Sequence, residues 1–579
     1  MNKSIKRISQ PDEMITGFSS VLNRVYANRK IQSQDELDYS IANLLPYEKL
    51  KGIAEAARLI ADAVKNKLAI TIVGDFDVDG ATSTTVAVKS LYGMGASRVD
   101  FIVPNRFEYG YGLTPEIVKV AVKQFNPDVI ITVDNGISSI EGVKTAKELG
   151  LRVVVTDHHL PAATLPIADA IVNPNQMGCS FPSKMLAGVG VIFYVMLAVR
   201  SLLRQQGWFE EKNIPIPNLA ELLDLVALGT VADVVPLDHN NRILVSQGLA
   251  RIRSGKVRPG IKALIDVAGK ESERLIASDF GFAIAPRLNA AGRLDDMSLG
   301  IHCLLSDELS KARGIAQQLD EINFTRRDIE ADMKQQAMAI LDDMHLDSDG
   351  DDENKNLPFG LCLFDENFHE GVVGIIASRI KDLWNRPVIV FAKTDDGLLK
   401  GSGRSIKGFH MRDALDAVAT KNPKLITKFG GHAMAAGLTI AETDYAHFTQ
   451  TFDNEVRSHL NEDDLHGVIL SDGELLESEF SMKTAEELRF AGPWGQTFQE
   501  PVFDGVFNII NKRIVAEKHL KLSLQPVNSR LEIDAIAFNT TDEDWSAEQT
   551  QAKVAYRLDV NVFRGNKNLQ LMVEHIEPC

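Results

Sequence analysis

Cysteine is scarce: the 579-residue chain holds four (Cys179, Cys303, Cys362 and Cys579), far apart and with no CxxC pair. That spacing suggests neither a zinc knuckle nor a disulfide framework, and it fits a reducing cytoplasm. An excess of basic charge is also missing. Lys and Arg number 62 against 79 Asp and Glu, a formal net charge of −17, which argues against a non-specific nucleic-acid coat protein. A nuclease remains open, because clustered active-site aspartates inflate the acidic count, and nucleic-acid contact then needs only a local basic groove. Long apolar runs are lacking too. The longest uncharged stretch, MLAGVGVIFYVMLAV between Lys184 and Arg200, falls short of the ~20 residues that span a membrane. A buried helix and no membrane association are expected. Lys3, Lys6 and Arg7 are followed by no apolar segment, so no signal peptide is expected. There is no internal repeat.

What is present belongs to an ordinary globular protein, with 45% hydrophobic and 24% charged residues. The length implies several domains. Residues 1–65 look helical and peripheral. Short apolar strands then alternate with helix-length segments: LAITIVG (68–74), VDFIVP (99–104), DVIITVD (128–134), LRVVVTD (151–157) and DAIVNP (169–174). This alternation predicts βαβ units and a parallel sheet covered on both faces. Residues 181–305 look mainly helical, and helix formers fill 306–346, predicting a long connecting helix. DSDGDDENKN (347–356) is an acidic linker. Its glycine falls too early for a calcium loop, and Pro358 stands where the closing glutamate belongs. A second α/β region covers 357–462. From 463 to 579, HLKLSLQP, RLEIDAIAF, KVAYRLDVNVF and NLQLMVEHI alternate apolar and polar residues, the pattern of half-buried strands in a small barrel.

Ligands of open parallel sheets bind beyond the carboxyl ends of the strands. The first strand runs into DFDVDG, with Asp75, Asp77 and Asp79; the third runs into Asp134 of DNG; the fourth runs into Asp157, His158 and His159. Asp233 stands in the apolar stretch LGTVADVVPL. Helix N-caps would account for one such aspartate, not for all. Buried together, they repel unless divalent cations hold them. Imidazole with several carboxylates suits Mn²⁺, and an all-oxygen set suits Mg²⁺. His158 is thus expected to face a metal, and His159, its neighbour on an extended chain, is expected to point elsewhere, towards phosphate.

These residues also carry a family resemblance. DFDVDG, TVDNG, TDHH and TVADVVPL, in this order, resemble the four motifs of the DHH phosphoesterase superfamily. VPNRFEYGYGL (103–113), FAIAPRLNAAGR (282–293), GSGRS (401–405) and GGHAMAAG (430–437) narrow the likeness to RecJ-type exonucleases, over roughly residues 50 to 440. The resemblance implies an α/β chain in five parts: an N-terminal segment (1–65), a parallel-sheet DHH catalytic domain (66–305), the long helix (306–346), a DHHA1-type α/β domain (357–462) and an all-β, OB-like nucleic-acid-binding barrel (463–579).

The implied activity is single-stranded-DNA-specific 5′→3′ exonuclease action with two divalent ions, Mn²⁺ or Mg²⁺, releasing 5′-mononucleotides in recombination and repair. The alternative is another DHH phosphoesterase, acting on short oligonucleotides or cyclic dinucleotides. Expected metal ligands are Asp75, Asp77, Asp79, Asp134, His158 and Asp233. Asp79 is also expected to serve catalysis, with Asp157 orienting an imidazole and His159 acting on the scissile phosphate or its leaving oxygen. Arg106, Tyr111, Arg287, Asn289, Arg293, Ser402, Arg404, Gly430, Gly431 and His432 are the expected substrate contacts. Arginines can grip phosphate bidentately, Tyr109 and Tyr111 offer stacking faces, and glycines allow close backbone approach. The implied partners are single-stranded DNA, single-strand-binding protein and a RecQ-type helicase, in the cytoplasm.

Overall fold

A computed structural model describes residues 3–9, 15–104, 112–346, 357–394, 396–527, 529–540, 550–563 and 565–579. The acidic linker 347–356 lies outside the described residues. The first element is a strand, β1 (Lys3–Arg7), paired in parallel with Gly467–Ser471 at the far end of the chain. The expectation of a helical N-terminus is therefore corrected at Lys3–Arg7, while helical elements do make up much of Ser20–Lys65. Three of the five residues of β1 are basic, and its partner is over 450 residues away, so no local pattern announces it. The helix Ser20–Asn28 buries Val21, Leu22 and Val25, and the helix Ile53–Lys65 joins the core of the parallel-sheet domain through Ala56 and Ile60.

That domain is built on β2 (Ala69–Gly74), β3 (Arg98–Ile102), β4 (Val129–Val133), β5 (Arg152–Thr156) and β6 (Ala170–Val172), all parallel, in the order β3-β2-β4-β5-β6. The β-branched strands bury both faces. Ile70, Ile72, Val129, Ile131 and Val154 pack against one helical layer, and Val73, Ile130, Val153 and Val155 against the other. Each fully buried Val or Ile side chain contributes roughly 1.5–3 kcal/mol of transfer energy. The chain leaves β2 towards β3 and returns on the opposite side as β4, so the crevice opens at the carboxyl ends of β2 and β4.

The long apolar run forms the helix Gly188–Gln205, packed on the helices Ile53–Lys65 and Val78–Gly93. Among the described residues it is the one helix long and apolar enough to cross a membrane, and 67% of that window is buried inside the fold. The connecting helix spans Leu309–Leu346. Beyond it, β7 (Leu361–Phe364), β8 (Val388–Lys393), β9 (Leu398–Arg404), β10 (Lys428–Gly431) and β11 (Ala435–Ala441) form a mixed sheet ordered β10-β11-β9-β8-β7. After β12 (Gly467–Ser471) come β13 (Phe503–Val515), β14 (His519–Pro526), β15 (Ile533–Phe538), β16 (Gln551–Phe563) and β17 (Asn566–Pro578), a closed barrel ordered β13-β14-β15-β17-β16. Closure removes the exposed strand edges.

The N-terminal segment ties this barrel down. Arg7 makes a forked contact with Asp504 of β13 (Nε–Oδ1 2.9 Å, Nη2–Oδ2 2.9 Å). Arg29 grips Asp472 through two bonds of 2.6 and 3.0 Å, with side chains only 5% and 2% exposed. Removing one partner of a buried ion pair strands the other charge, at a cost of about 3–5 kcal/mol. Arg29→Ala should destabilise the protein by that amount in urea unfolding followed by intrinsic fluorescence, whereas Arg58→Ala, which removes an exposed pair with Glu55, should change it by less than about 1 kcal/mol.

Candidate active site

The site begins where β2 ends. Gly74 is followed by buried Asp75, and Asp77 then caps the helix Val78–Gly93 by accepting the Gly80 N–H at 3.0 Å. The cap explains one aspartate of the motif. Asp79 is 1% exposed, and its two oxygens accept the backbone N–H groups of Gly188 (2.6 Å) and Val189 (2.9 Å). These open the helix Gly188–Gln205, whose amino end favours a carboxylate. Position 188 admits no side chain, because a Cβ there would lie 2.6 Å from the Asp134 Cβ. The helix carrying these aspartates also buries Thr82, Thr84 and Thr85, whose hydroxyls each donate to a carbonyl four residues back at 2.8 Å.

Asp134 follows β4 with φ +61°, a left-handed conformation that aspartate tolerates better than most residues. Asn135 fixes this turn by donating to the carbonyls of Val73 and Val133. Asp157, after β5, binds the two loops together. Its Oδ2 accepts the Ile137 N–H at 2.8 Å, and its Oδ1 accepts from the backbones of His158 (2.7 Å) and His159 (3.0 Å) and stands 2.8 Å from His159 Nδ1. The chain turns tightly around this carboxylate instead of continuing extended. The two imidazoles consequently share one side, with ring centroids 4.5 Å apart. The expectation that His159 points away from His158 is corrected on that ground: β5 stops at Thr156, so strand alternation does not reach the pair.

His158 Nε2 lies 3.1 Å from Asp134 Oδ1, 3.4 Å from Asp233 Oδ2 and 3.9 Å from Asp79 Oδ2. It is buried and makes no hydrogen bond among the described residues. A buried imidazole nitrogen ringed by carboxylate oxygens is the signature of a cation site. Ligand atoms of Asp79, His158 and Asp233, of Asp75, Asp77 and Asp134, and of Asp134, His158 and His159 lie within 4.8 Å of one another in each set. This donor set of carboxylates and imidazole fits Mn²⁺ or Mg²⁺.

Electrostatics agree. Burial, then the charge of Asp233, raises Asp79 to about 7. Burial, then Asp77, raises Asp233 to about 8. Asp75 and Asp134 are pushed well above the carboxylate range by burial and by the neighbouring aspartates. Burial lowers His158, with the charge of His159 acting in the same direction. His159 goes the other way: burial opposes its charge, but the Asp157 hydrogen bond and nearby carboxylates raise it to about 9.

The second α/β domain forms the facing wall. His432, next to Gly430 and Gly431 of β10, stacks on His159 across the domain boundary, centroids 6.2 Å apart and planes 21° apart. Arg404 donates to Ser402 Oγ at 3.0 Å. Both pack against the amino end of the helix Val373–Trp384, where a Cβ on Gly374 would meet Arg404 Nη2 at 2.9 Å and Ser402 Oγ at 3.0 Å. Asn289 reaches the first loop, accepting the Val78 N–H at 3.2 Å. The Arg293 carbonyl faces Gly371 of the second domain. Arg287 is engaged elsewhere, with Asp320 of the long helix at 2.8 Å and the carbonyls of Ala283 and Val267. Arg106 and Tyr111, with Tyr109, lie outside the described residues.

Sequence reasoning missed the amide clamp of Gly188 and Val189 and the second-domain segment FHEGVVG (368–374), where His369 Nδ1 accepts the Gly371 N–H at 3.0 Å. In each, glycines opening a helix were the available signal.

Comparison with known proteins follows the same division. The DHH family N-terminal domain matches residues 69–230, the DHHA1 domain residues 358–458 and the RecJ OB domain residues 471–575. The single-stranded-DNA-specific exonuclease RecJ of Escherichia coli K12 is 51% identical over 99% of this chain and 98% of its own. That of Haemophilus influenzae Rd is 50% identical over 100% of both. The crystal structure of RecJ from Thermus thermophilus in complex with Mn²⁺ aligns with a TM-score of 0.76 at 28% identity, covering 96% of this chain and 76% of that one.

The crowding of carboxylates sets a pH dependence. A group whose folded pKa is raised contributes stability that is complete below its unfolded pKa and is lost as pH rises through the folded value. Asp79 (about 7), Asp233 (about 8) and His159 (about 9) all act with this sign. The metal-free protein should therefore melt lower at about pH 8 than at about pH 6, and the gain from Mn²⁺ over EDTA should be larger at the higher pH. Thermal melts in the two media check this. A metal-free melting temperature that climbs over the same interval would contradict the clustering.

Proposed function

The chain belongs to the RecJ family of DHH phosphoesterases, and from that premise we propose that it is a single-stranded-DNA-specific exonuclease that starts at the 5′ end and releases 5′-mononucleotides. The observation that carries this reading is the buried Nε2 of His158 held among Asp79, Asp134 and Asp233 at the carboxyl edge of the parallel sheet. The attached barrel and the second domain facing the same crevice support a polymeric substrate over a cyclic dinucleotide.

Asp75, Asp77, Asp79, Asp134, His158 and Asp233 would hold two divalent ions, Mn²⁺ or Mg²⁺, which when bound supply an activated water and neutralise charge on the phosphodiester. The water oxygen bonds to phosphorus as its proton passes to a carboxylate of this cluster, and the bond to the 3′-oxygen of the terminal nucleotide breaks. Asp157 occupies Nδ1 of His159 and keeps the ring protonated near neutral pH. Nε2 of His159 is therefore the group we assign to protonating the leaving 3′-oxygen. His432, stacked on it, keeps the ring in place and contacts the same phosphate. Each cleavage leaves a new 5′-phosphate on the shortened strand. Ser402, Arg404, Gly430, Gly431 and the amino end of the helix Val373–Trp384 form the wall suited to hold that terminal phosphate. Arg106 and Arg293 are assigned to the same phosphate, Tyr111 to stacking on a base and Asn289 to the strand beside the first metal loop.

Family membership further supports single-strand-binding protein and a RecQ-type helicase as partners that prepare the strand. The free thiols of Cys303 and Cys362, both buried, are compatible with the cytoplasmic location we propose.

End-labelled single-stranded DNA, duplex DNA, RNA and a cyclic dinucleotide, each with Mn²⁺ or Mg²⁺, test the assignment. Single-stranded DNA should be digested from its 5′ end, and Asp134→Asn should abolish digestion at saturating Mn²⁺. Preference for the cyclic dinucleotide, or full turnover in the variant, would refute the reading. A charge-assisted phosphate contact is worth about 1.5–3 kcal/mol, roughly ten- to a hundredfold in affinity. Arg404→Ala should reduce the preference for 5′-phosphorylated over 5′-hydroxyl ends by that factor instead of slowing both ends equally.

A further inference from the structure

A cavity of about 360 Å³ opens between the residues flanking Asp233 and the segment that leads into the barrel. Its walls include Val231, Val234, Phe282, Asn289, Phe490 and Trp494. We propose that this cleft seats one nucleobase of the strand on the 3′ side of the scissile phosphate, with Phe282 as the stacking face. The inference rests on the reading of single-stranded DNA as substrate.

Three observations point to a base. First, Phe282 is 87% exposed and Val234 65% exposed, two apolar side chains presented to one cavity instead of to the core. Phe282 lies in a π-type helical turn, Phe280–Ile284, the kind of local widening that recurs at functional sites. Val234 has φ +58°, a strained conformation for a β-branched residue, of the sort retained at ligand clamps. Second, the cleft adjoins the metal cluster at one end and the barrel at the other. Val234 directly follows Asp233 of the metal cluster, and Asn289 bridges to the loop of Asp77 through the Val78 N–H at 3.2 Å. At the other end Arg489 pairs with Asp559 of the barrel at 2.9 Å. A strand running from the metal cluster to the barrel crosses this cleft. Third, the surfaces suit a flat heterocycle. The aromatic face of Phe282 and the apolar side chain of Val234 accept any base, and the Asn289 and Gln496 amides at the walls serve its polar edges without selecting one. The charged groups nearby are already committed: the Arg253 guanidinium lies 5.0 Å from the Phe490 ring centroid, and Glu500 pairs with Arg557 at 2.7 Å.

The test walks a single abasic site along a 5′-phosphorylated single strand and measures kcat/KM at each position with Mn²⁺, for wild type, Phe282→Ala and Phe282→Trp. Stacking of one base is worth roughly five- to 150-fold. Wild type and Phe282→Trp should show a drop of that size at one position. Phe282→Ala should show it already with the intact strand, and the abasic site at that position should add nothing further. Phe282 is exposed, so its truncation leaves the core untouched. A flat abasic profile in active wild-type enzyme, or a further drop in Phe282→Ala at the sensitive position, would overturn the seat while leaving the exonuclease assignment standing. Failure of wild type to digest any intact strand would overturn both.

Discussion

Like-charge repulsion inside the crevice is the constraint on which the rest of the structure depends. Asp75, Asp77, Asp79, Asp134 and Asp233 converge in overlapping groups of ligand atoms, and burial and mutual repulsion raise several of them well above the usual carboxylate range. The fold accepts that penalty because the same crowding makes a divalent cation welcome: binding it releases protons and removes repulsion in one step. A core of this kind must be held from outside, since the aspartates themselves push apart.

The holding is done by backbone amides. The amino end of the helix Gly188–Gln205 grips Asp79, Asp157 gathers the loops after β4 and β5, and Gly188 lets the helix approach Asp134 without a side chain in the way. These contacts offset part of the desolvation of buried carboxylates and fix their directions. They also divide labour between adjacent histidines. His158 stands among the carboxylates, its Nε2 making no hydrogen bond among the described residues, while His159 is tied to Asp157, whose hydrogen bond and charge favour its protonated form. One residue of sequence separates two different chemistries because one carboxylate captures only the second ring.

The second domain completes the crevice instead of standing apart from it. His432 stacks on His159, and Gly371 lies against the Arg293 carbonyl. The barrel, in turn, is moored by the chain's own beginning: β1 pairs with β12, and Arg7 and Arg29 hold Asp504 and Asp472. The three modules are therefore linked by direct contacts on either side of the metal cluster. The family matches fall on the chain in the same order as these modules.

The amino-acid sequence by itself determined what local chemistry can encode. Period-two and continuous apolar strands announced the parallel sheet and the barrel, helix formers announced Leu309–Leu346, and DFDVDG, TVDNG, TDHH and Asp233 could be picked out because acidic residues ending buried strands have a cost that demands a cation. Tertiary structure decided everything that depends on distant partners. β1 exists only through Gly467–Ser471. The two histidines share a side because Asp157 curls the chain there, which strand alternation cannot foresee. Arg287, an expected substrate contact, is paired with Asp320 of the long helix, a partner its motif does not announce. The helix ends at Gly188 and Gly374 became parts of the site only once folding set their amino ends against Asp79 and Arg404. Residue type and spacing specify which groups can do chemistry, whereas their directions are set by hydrogen bonds and close approaches between segments far apart in the chain.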